Sequence, residues 1–187
     1  MANDSTSTPL LWVLDTVGFL YTGVVYLSKI VFIPNAANDA VLFNTWDENT
    51  ASLVADGYRD MVSGSITSTD TLTVAGTNLP AAIEDGFIFN VTATTGSALN
   101  LGRRVVKTAG SNTAVVIHND EWTDEGPFVY TWKTYEATTA ITMQAGASDA
   151  SPVQHVFEPG TGRYENLSLE TLTGGTLYVH HARTRNV

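Results

Sequence analysis

Short strand-like segments separated by turn residues fill almost the whole chain, and this spacing restricts the folds that the chain can adopt. The segments are rich in β-branched and aromatic residues, and clusters of Gly, Asn, Asp, Ser and Thr follow them about every 8–12 residues. Helical periodicity is weak throughout. The one window that fits it, 51–61, is short and contains Gly57, so it predicts at most one or two turns. The pattern is typical of antiparallel sandwiches and barrels.

The most apolar predicted strand, Val24–Ile33, is apolar on both faces apart from Ser28 and Lys29, which suits a central strand. A turn cluster at 34–39 and a returning strand at 40–46 complete a hairpin. Residues 5–15 form an arm or first strand. The further predicted strands are 61–67, 71–75, 86–92, 103–108, 113–118, 128–135, 140–144, 153–158, 166–172 and 176–181.

A shift in composition predicts an insertion. Residues from about 51 to 126 are rich in Thr, Gly, Ser and Ala, whereas the two flanks are more aromatic. We therefore predict an antiparallel, jelly-roll-like β-sandwich built from residues 1–51 and 127–187, with a small β domain, 52–126, inserted in it. Two tandem domains are the weaker alternative, because a single hairpin before residue 50 cannot bury its own apolar faces.

Composition excludes several classes of protein. The chain has no cysteine, which rules out a disulfide scaffold, a thiolate zinc site and a cysteine nucleophile. Its formal net charge is −10 and it has no Lys/Arg cluster, so we expect neither nucleic acid nor an anionic membrane as a partner. Only 15% of residues are charged, which leaves the polar surface to Thr, Ser, Asn and Gly.

The apolar stretch 9–33 could be mistaken for a membrane span. Asp15 and Lys29 interrupt it, and a charge at the bilayer centre costs at least about 2.5 kcal/mol. Gly18 and Gly23 divide it further. The first five residues hold no basic residue, so we expect no signal peptide. A cysteine-free chain of this kind can fold in a reducing bacterial cytoplasm.

No spacing of polar residues predicts catalysis or a cofactor. Histidines occur at four positions without ligand spacing, and the adjacent pair His180 and His181 should point to opposite faces of a strand. A G-x-S-x-G nucleophile elbow is missing. We therefore predict a protein that is not an enzyme and holds no cofactor. The two other histidines, His118 and His155, are assigned to a sheet surface or edge.

Two acidic stretches at the edges of the predicted insertion would lie close together if that division holds. Clustered carboxylates can bind Ca²⁺, but nothing here matches an EF-hand loop. A solvated domain junction is the favoured interpretation and a calcium site is the weaker one. The carboxylates concerned are Asp47, Glu48, Asp120, Glu121, Asp124 and Glu125.

Six aromatic residues allow a second interpretation of the chain. On a carbohydrate-binding β-sandwich they could stack against sugars, and in a core they would pack against each other. The core is their more common location. The residues are Trp12, Trp46, Trp122, Trp132, Tyr130 and Tyr135.

Two segments resemble a pattern in small structural proteins of tailed bacteriophages. Residues 29–39 fit K-I-x-F-x-P-x-A-A-x-D, and residues 174–179 read Gly-Gly-Thr-Leu-Tyr-Val. The resemblance covers roughly residues 26–45 and 128–181. In these segments the chain is similar to capsid decoration (cement) proteins or other auxiliary virion proteins. The resemblance implies a non-enzymatic protein on the capsid exterior, made in the bacterial cytoplasm, that binds the major capsid protein and associates with itself as a homotrimer.

The N-terminal arm is the segment we expect to make this contact, because it is long for a monomer strand and could add a strand to a neighbour. Removing residues 1–20 should then abolish shell binding and leave the sheet folded. Two alternatives remain open: a carbohydrate-binding module, and a tail or connector component of the virion. The predicted capsid or subunit contact residues are Leu10, Leu11, Trp12, Val13 and Leu14.

Overall fold

Antiparallel β-strands make up the fold, which confirms the all-β prediction. The computed structural model describes residues 4–8, 10–47, 58–74, 83–111, 113–119 and 121–182. Within these ranges the chain forms strands and one short 3-10 turn, Ala98–Asn100. The strands are β1 (Asp4–Thr8), β2 (Leu11–Leu14), β3 (Leu20–Ile33), β4 (Ala40–Trp46), β5 (Tyr58–Thr67), β6 (Thr71–Val74), β7 (Ile88–Thr94), β8 (Gly102–Ser111), β9 (Ala114–Ile117), β10 (Glu125–Tyr135), β11 (Ala137–Gln144), β12 (Val153–Val156), β13 (Arg163–Leu172) and β14 (Thr176–Ala182).

The chain divides into two compact units. Unit 1 contains residues 1–45 and 138–187, and unit 2 contains residues 46–137. The division predicted from sequence, with boundaries after residues 51 and 126, stays a prediction.

Unit 1 is one eight-stranded sheet in the order β1-β2-β14-β3-β13-β4-β11, with β12 added beside β3. The long strand β3 organises it: β14 runs along one edge, and β13 and then β12 run along the other. One cluster of buried side chains forms the core. Its members are Trp12, Leu14, Val25, Leu27, Ile30, Phe32, Val41, Phe43, Ile141, Met143, Leu167, Leu169, Leu177 and Val179. A jelly-roll sandwich is a finer description than this strand order and stays a prediction.

A bulge in β3 explains how this strand can bury apolar residues out of simple alternation. Val25 and Leu27 face the core, and so do Ile30 and Phe32, so the alternation shifts by one residue between the two pairs. The pairing with β14 shifts at the same place, because His180 lies opposite Lys29 whereas His181 lies opposite Leu27. One extra residue in one strand produces such a shift.

Unit 2 is a closed barrel of six antiparallel strands in the order β10-β5-β6-β9-β8-β7, with β7 pairing back onto β10. Trp132, Tyr130 and Phe89 are fully buried in it. Of the window expected to hold a helical turn, residues 51–57 lie outside the described ranges. Residues 58–61 belong to β5, where Tyr58 and Arg59 pair with β10, so strand pairing overrides the weak helical pattern there.

Candidate functional site: contact surfaces

Strand alternation separates the five predicted contact residues. Strand β2 pairs with β14, and Trp12 and Leu14 point into the core of unit 1, with 3% and 0% of their surface exposed. Leu11 and Val13 point to the opposite side and are half-buried, and Leu10 is 51% exposed. Because two of the five are core residues, removal of residues 1–20 should unfold the sheet rather than leave it intact, which replaces our expectation from the sequence.

The opposite side of this sheet carries two rows of side chains that cross four strands. Residues directly opposite each other in antiparallel strands point to the same side, so the register places the members of each row together. We call this surface the outer face. Its rows are Val13–Tyr178–Val31–Gln154 and Leu11–His180–Lys29–Val156.

Apolar side chains dominate the outer face. Val156 is 60% exposed at the edge strand β12, and Ile33, the next outward residue of β3 after Val31, is 42% exposed. Tyr178, Val31 and Val13 are half-buried within one row. The sheet therefore presents large apolar groups on the side that does not form its core. Such a surface is typical of a protein contact.

The turn between β3 and β4 is closed by the Asp39 carboxylate. Its Oδ2 accepts hydrogen bonds from the backbone N–H groups of Asn35 (2.9 Å) and Ala36 (2.7 Å). Its Oδ1 accepts one from the Thr173 hydroxyl (3.3 Å), which belongs to the turn between β13 and β14. Thr173 Oγ1 in turn accepts from Ala40 N–H (2.8 Å). Asp39 thus joins two turns and has a structural role.

A second surface lies on unit 2, in the loop of residues 95–101, which we call the leucine loop. Leu99 is 72% exposed and Leu101 is 38% exposed. Between them Asn100 is fully buried: its Nδ2 donates to the Thr123 carbonyl (3.1 Å) and its Oδ1 accepts from Thr123 N–H (2.7 Å). The loop is therefore anchored to the strand entry at 123–125 and holds its leucines in solvent.

The Glu125 carboxylate holds the other half of the leucine loop. It accepts from Ser97 N–H (2.7 Å), Asn100 Nδ2 (2.8 Å) and the Tyr130 hydroxyl (2.5 Å). Partial burial would raise the pKa of Glu125, but these three hydrogen bonds outweigh it and hold the pKa below its ordinary value. The Glu125 carboxylate is therefore ionised under ordinary conditions and contributes negative charge beside the loop.

The guanidinium of Arg104 supports the leucine loop from β8. It donates to the carbonyls of Leu99 (3.3 Å) and Leu101 (3.4 Å), and its Nε lies 3.1 Å from Glu121 Oε2. Burial raises the pKa of Glu121, and the charge of Arg104 and a hydrogen bond from Asn119 oppose that rise. The loop therefore has a fixed shape imposed from both sides.

The candidate calcium ligands have separate protein partners. Asp124 Oδ1 accepts from Thr69 N–H (2.6 Å), while Glu121 pairs with Arg104 and Glu125 with the leucine loop. Asp47 is exposed, and Glu48 and Asp120 lie outside the described residues. Across the described ranges, His, Asp and Glu side chains nowhere form a group of three that could hold a metal ion.

The histidines are dispersed over both units. His180 lies in a row of the outer face, and His181 stacks on Trp12 with a centroid distance of 4.2 Å. His155 is exposed against the edge of Phe157. Burial, and secondarily the charge of Lys107, lower the pKa of His118, which Asp85 opposes.

The six aromatic residues considered for sugar stacking are all buried. None of them exposes more than 5% of its surface. Trp12 packs on Phe19 and Tyr21, and Trp132 packs on Phe89. These six rings therefore stabilise the cores. A sugar platform would have to use other residues.

Comparison with known proteins identifies no relative. No protein-family model, curated protein or solved structure matches the chain. The expectation of a phage decoration protein therefore rests on the two sequence segments alone. Within the described ranges, the chain has no helix long and apolar enough to cross a membrane.

Sequence reasoning did not identify the leucine loop. The sequence pattern predicts strands at 86–92 and 103–108 and assigns no role to Leu99 and Leu101 between them. A usable signal was present: two leucines flank an asparagine in the segment between the two predicted strands, where polar residues are the usual choice. The burial of Asn100 and the exposure of Leu99 become visible only in the structure.

Proposed function

We propose that the protein is a non-enzymatic structural protein of a virion, a capsid decoration protein that binds the exterior of the shell. The observation that carries the proposal is the outer face of unit 1. It combines two of the five predicted contact residues, Leu11 and Val13, with Tyr178 and Val31 in continuous rows. The protein would be made in the bacterial cytoplasm and assembled onto the shell.

The two sides of the unit 1 sheet support this reading. An antiparallel sheet with one solvated side normally alternates apolar residues inward with polar residues outward. Strand β3 departs from this rule, because Val31 and Ile33 point outward while Ile30 and Phe32 fill the core. Burial of outward apolar area against another protein stabilises a complex by roughly 25 cal/mol per Å² before the cost of association.

The polar groups with resolved partners also support a structural role. The carboxylates of Asp39, Asp124 and Glu125 all accept hydrogen bonds from backbone N–H groups of turns or loops. They hold the chain in shape at the ends of strands. A protein that acts by presenting fixed surfaces depends on such anchoring.

Self-association as a homotrimer and a jelly-roll sandwich in unit 1 are part of the same proposal. A position in the tail or connector is an alternative within the same class of protein. Imaging of particles separates the head from the tail. Sedimentation of the purified protein measures its oligomeric state, and an experimental structure with two facing layers in unit 1 would establish the sandwich.

A binding experiment tests the outer face directly. Shells purified from the virus that carries this gene, with the gene deleted, are mixed with the protein and sedimented. Val13→Ser combined with Val31→Ser should reduce the bound fraction at least tenfold, a change of about 1.4 kcal/mol. Val24→Ser is the matched control, because Val24 is exposed but lies about 23 Å along β3 from Val31. Equal binding by all three proteins would contradict the assigned surface.

A further inference from the structure

The leucine loop combines three properties that belong together in a docking element. Its tip is apolar, since Leu99 and Leu101 are the exposed large hydrophobic residues of unit 2 among those described. Its backbone is anchored by the buried Asn100. Its rim is acidic, because Asn100 binds Thr123 and Glu125, and Asp124 lies between these two residues.

Anchoring reduces the entropic cost of binding. A flexible loop must be ordered when it docks, whereas a loop already held in one conformation loses less freedom. The leucine loop is held by Glu125 at Ser97, by Thr123 at Asn100 and by Arg104 at the carbonyls of both leucines. Leu99 is 72% exposed, so its side chain adds little to the buried core of the barrel. The anchoring is therefore suited to presenting this side chain to a partner.

The charge of the rim defines the chemistry of that partner. Glu125 is ionised and Asp124 is exposed, while Glu121 is paired with Arg104. A phosphate-rich surface, whether nucleic acid or anionic lipid, would be repelled by these carboxylates. An apolar pocket with Lys or Arg at its edge would be attracted to the loop, because its positive charges complement the negative charges of the rim.

We propose that the leucine loop inserts Leu99 into an apolar, basic-rimmed pocket of the shell protein, as a second attachment point besides the outer face. This inference rests on the proposed function, since the partner is the shell. Two attachment points on one chain raise the overall affinity, because the second contact forms at a high effective concentration. One copy could then bridge adjacent shell subunits.

The test uses the full chain and the same gene-deleted shells. Leu99→Ser should weaken binding about tenfold without changing the melting temperature, since this side chain is mostly exposed. Asp124→Asn keeps an oxygen that can accept from Thr69 N–H and removes the charge, so it should weaken binding severalfold and reduce the dependence on salt. Asp149→Asn is the control with the same charge change at an exposed loop of unit 1.

The outcomes separate the two proposals. If the unaltered protein does not bind shells, the proposed function is wrong and this inference fails with it. If it binds and Leu99→Ser binds equally well, only this inference is overturned. If Leu99→Ser loses binding but neither salt nor Asp124→Asn changes it, the proposal that the pocket has a basic rim is overturned. Leu99-dependent binding of vesicles containing anionic lipid, with no Leu99 effect on shells, would assign the loop to a lipid surface instead.

Discussion

Asp39 and Gly174 lie so close together that a Cβ atom on Gly174 would come within 2.7 Å of Asp39 Oδ2. Only a glycine leaves room for the carboxylate there. These residues belong to the segments 29–39 and 174–179, on which the proposal of a decoration protein rests, and the fold brings the two segments together at one end of unit 1. The sequence pattern of the two segments thus corresponds to a pair of turns joined by one carboxylate, and its Asp and Gly residues have structural roles.

Replacing Asp39 should destabilise unit 1. Asp39→Ala removes the acceptor for Asn35 N–H, Ala36 N–H and the Thr173 hydroxyl. At about 0.5–1.5 kcal/mol for each hydrogen bond, and with partial replacement by water, we expect a loss of about 1–3 kcal/mol in the free energy of unfolding. Urea denaturation followed by circular dichroism measures this. Asp149→Ala removes an exposed carboxylate that accepts locally from Ser151 N–H, and it should change stability little. Equal effects would contradict the role of Asp39.

Glycine is also required at the next position of that turn. Gly175 has φ +98°, and a Cβ there would overlap the Ile33 carbonyl oxygen. Gly175→Ala should therefore cost at least about 2 kcal/mol, from backbone strain and from displacement of β3. Gly126→Ala is the matched control, because nothing lies within 4 Å of its added methyl group. A melting temperature unchanged by both substitutions would show that the turn can relax.

The two sides of β2 should respond differently to truncation. Leu14→Ala removes a fully buried side chain from the core and should cost about 2–5 kcal/mol. Leu11→Ala acts on the outer face and should cost less than about 1 kcal/mol while weakening shell binding. Unfolding and sedimentation measurements on the same two proteins separate stability from contact. A Leu11→Ala variant as unstable as Leu14→Ala would mean that the outer face is part of the core.

The acid stability of unit 2 should depend on Glu125. Its pKa is lower in the folded state than the ordinary value of 4.5, so it stabilises the fold above pH 4.5, and this contribution is lost as pH falls through the folded pKa. Glu125→Gln should therefore flatten the decline of the unfolding free energy below pH 4.5. The measurement is urea denaturation at a series of pH values. An unchanged slope in the variant would show that the carboxylate is not held as described.

Glu121 should change the pH dependence of stability in the direction opposite to Glu125. Burial raises its pKa above 4.5, so its contribution to stability is full below pH 4.5 and is lost as pH rises through the folded pKa. Glu121→Gln should therefore steepen the rise of stability with pH above 4.5. If the two variants shift the profile in the same direction, at least one of the two environments is assigned wrongly.

Local sequence patterns were sufficient to predict the strands but not how they assemble. Alternation and turn residues located β4, β6 and β9 to within a residue or two, because each of these strands is short and bounded by turns. Closure of the six-stranded barrel depends on the pairing of β7 with β10. These strands are far apart in the sequence, so no local pattern predicts that they pair. The bulge in β3 was not predictable either. Ser28 and Lys29 interrupt an apolar run, and this pattern is the same with or without a bulge in the pairing to β14.

The direction of the side chains at the two proposed contact surfaces was predictable only in part, for the same physical reason. A contact role for the apolar arm stays a prediction, and which of Leu10–Leu14 point outward depends on the register of β2 with β14. The exposure of Leu99 depends on the burial of Asn100, which requires Thr123 and Glu125 from a distant segment. Side-chain direction at both surfaces is set by long-range pairing.

Imaging of particles tests whether the protein lies on the exterior of a capsid. Virions from a genome with this gene intact and with it deleted are purified and compared by electron microscopy, and the intact particles are checked for the protein by mass spectrometry. We expect regularly spaced density on the outside of the head that disappears on deletion and returns when purified protein is added. Identical heads in both preparations, with the protein missing from intact particles, would contradict it.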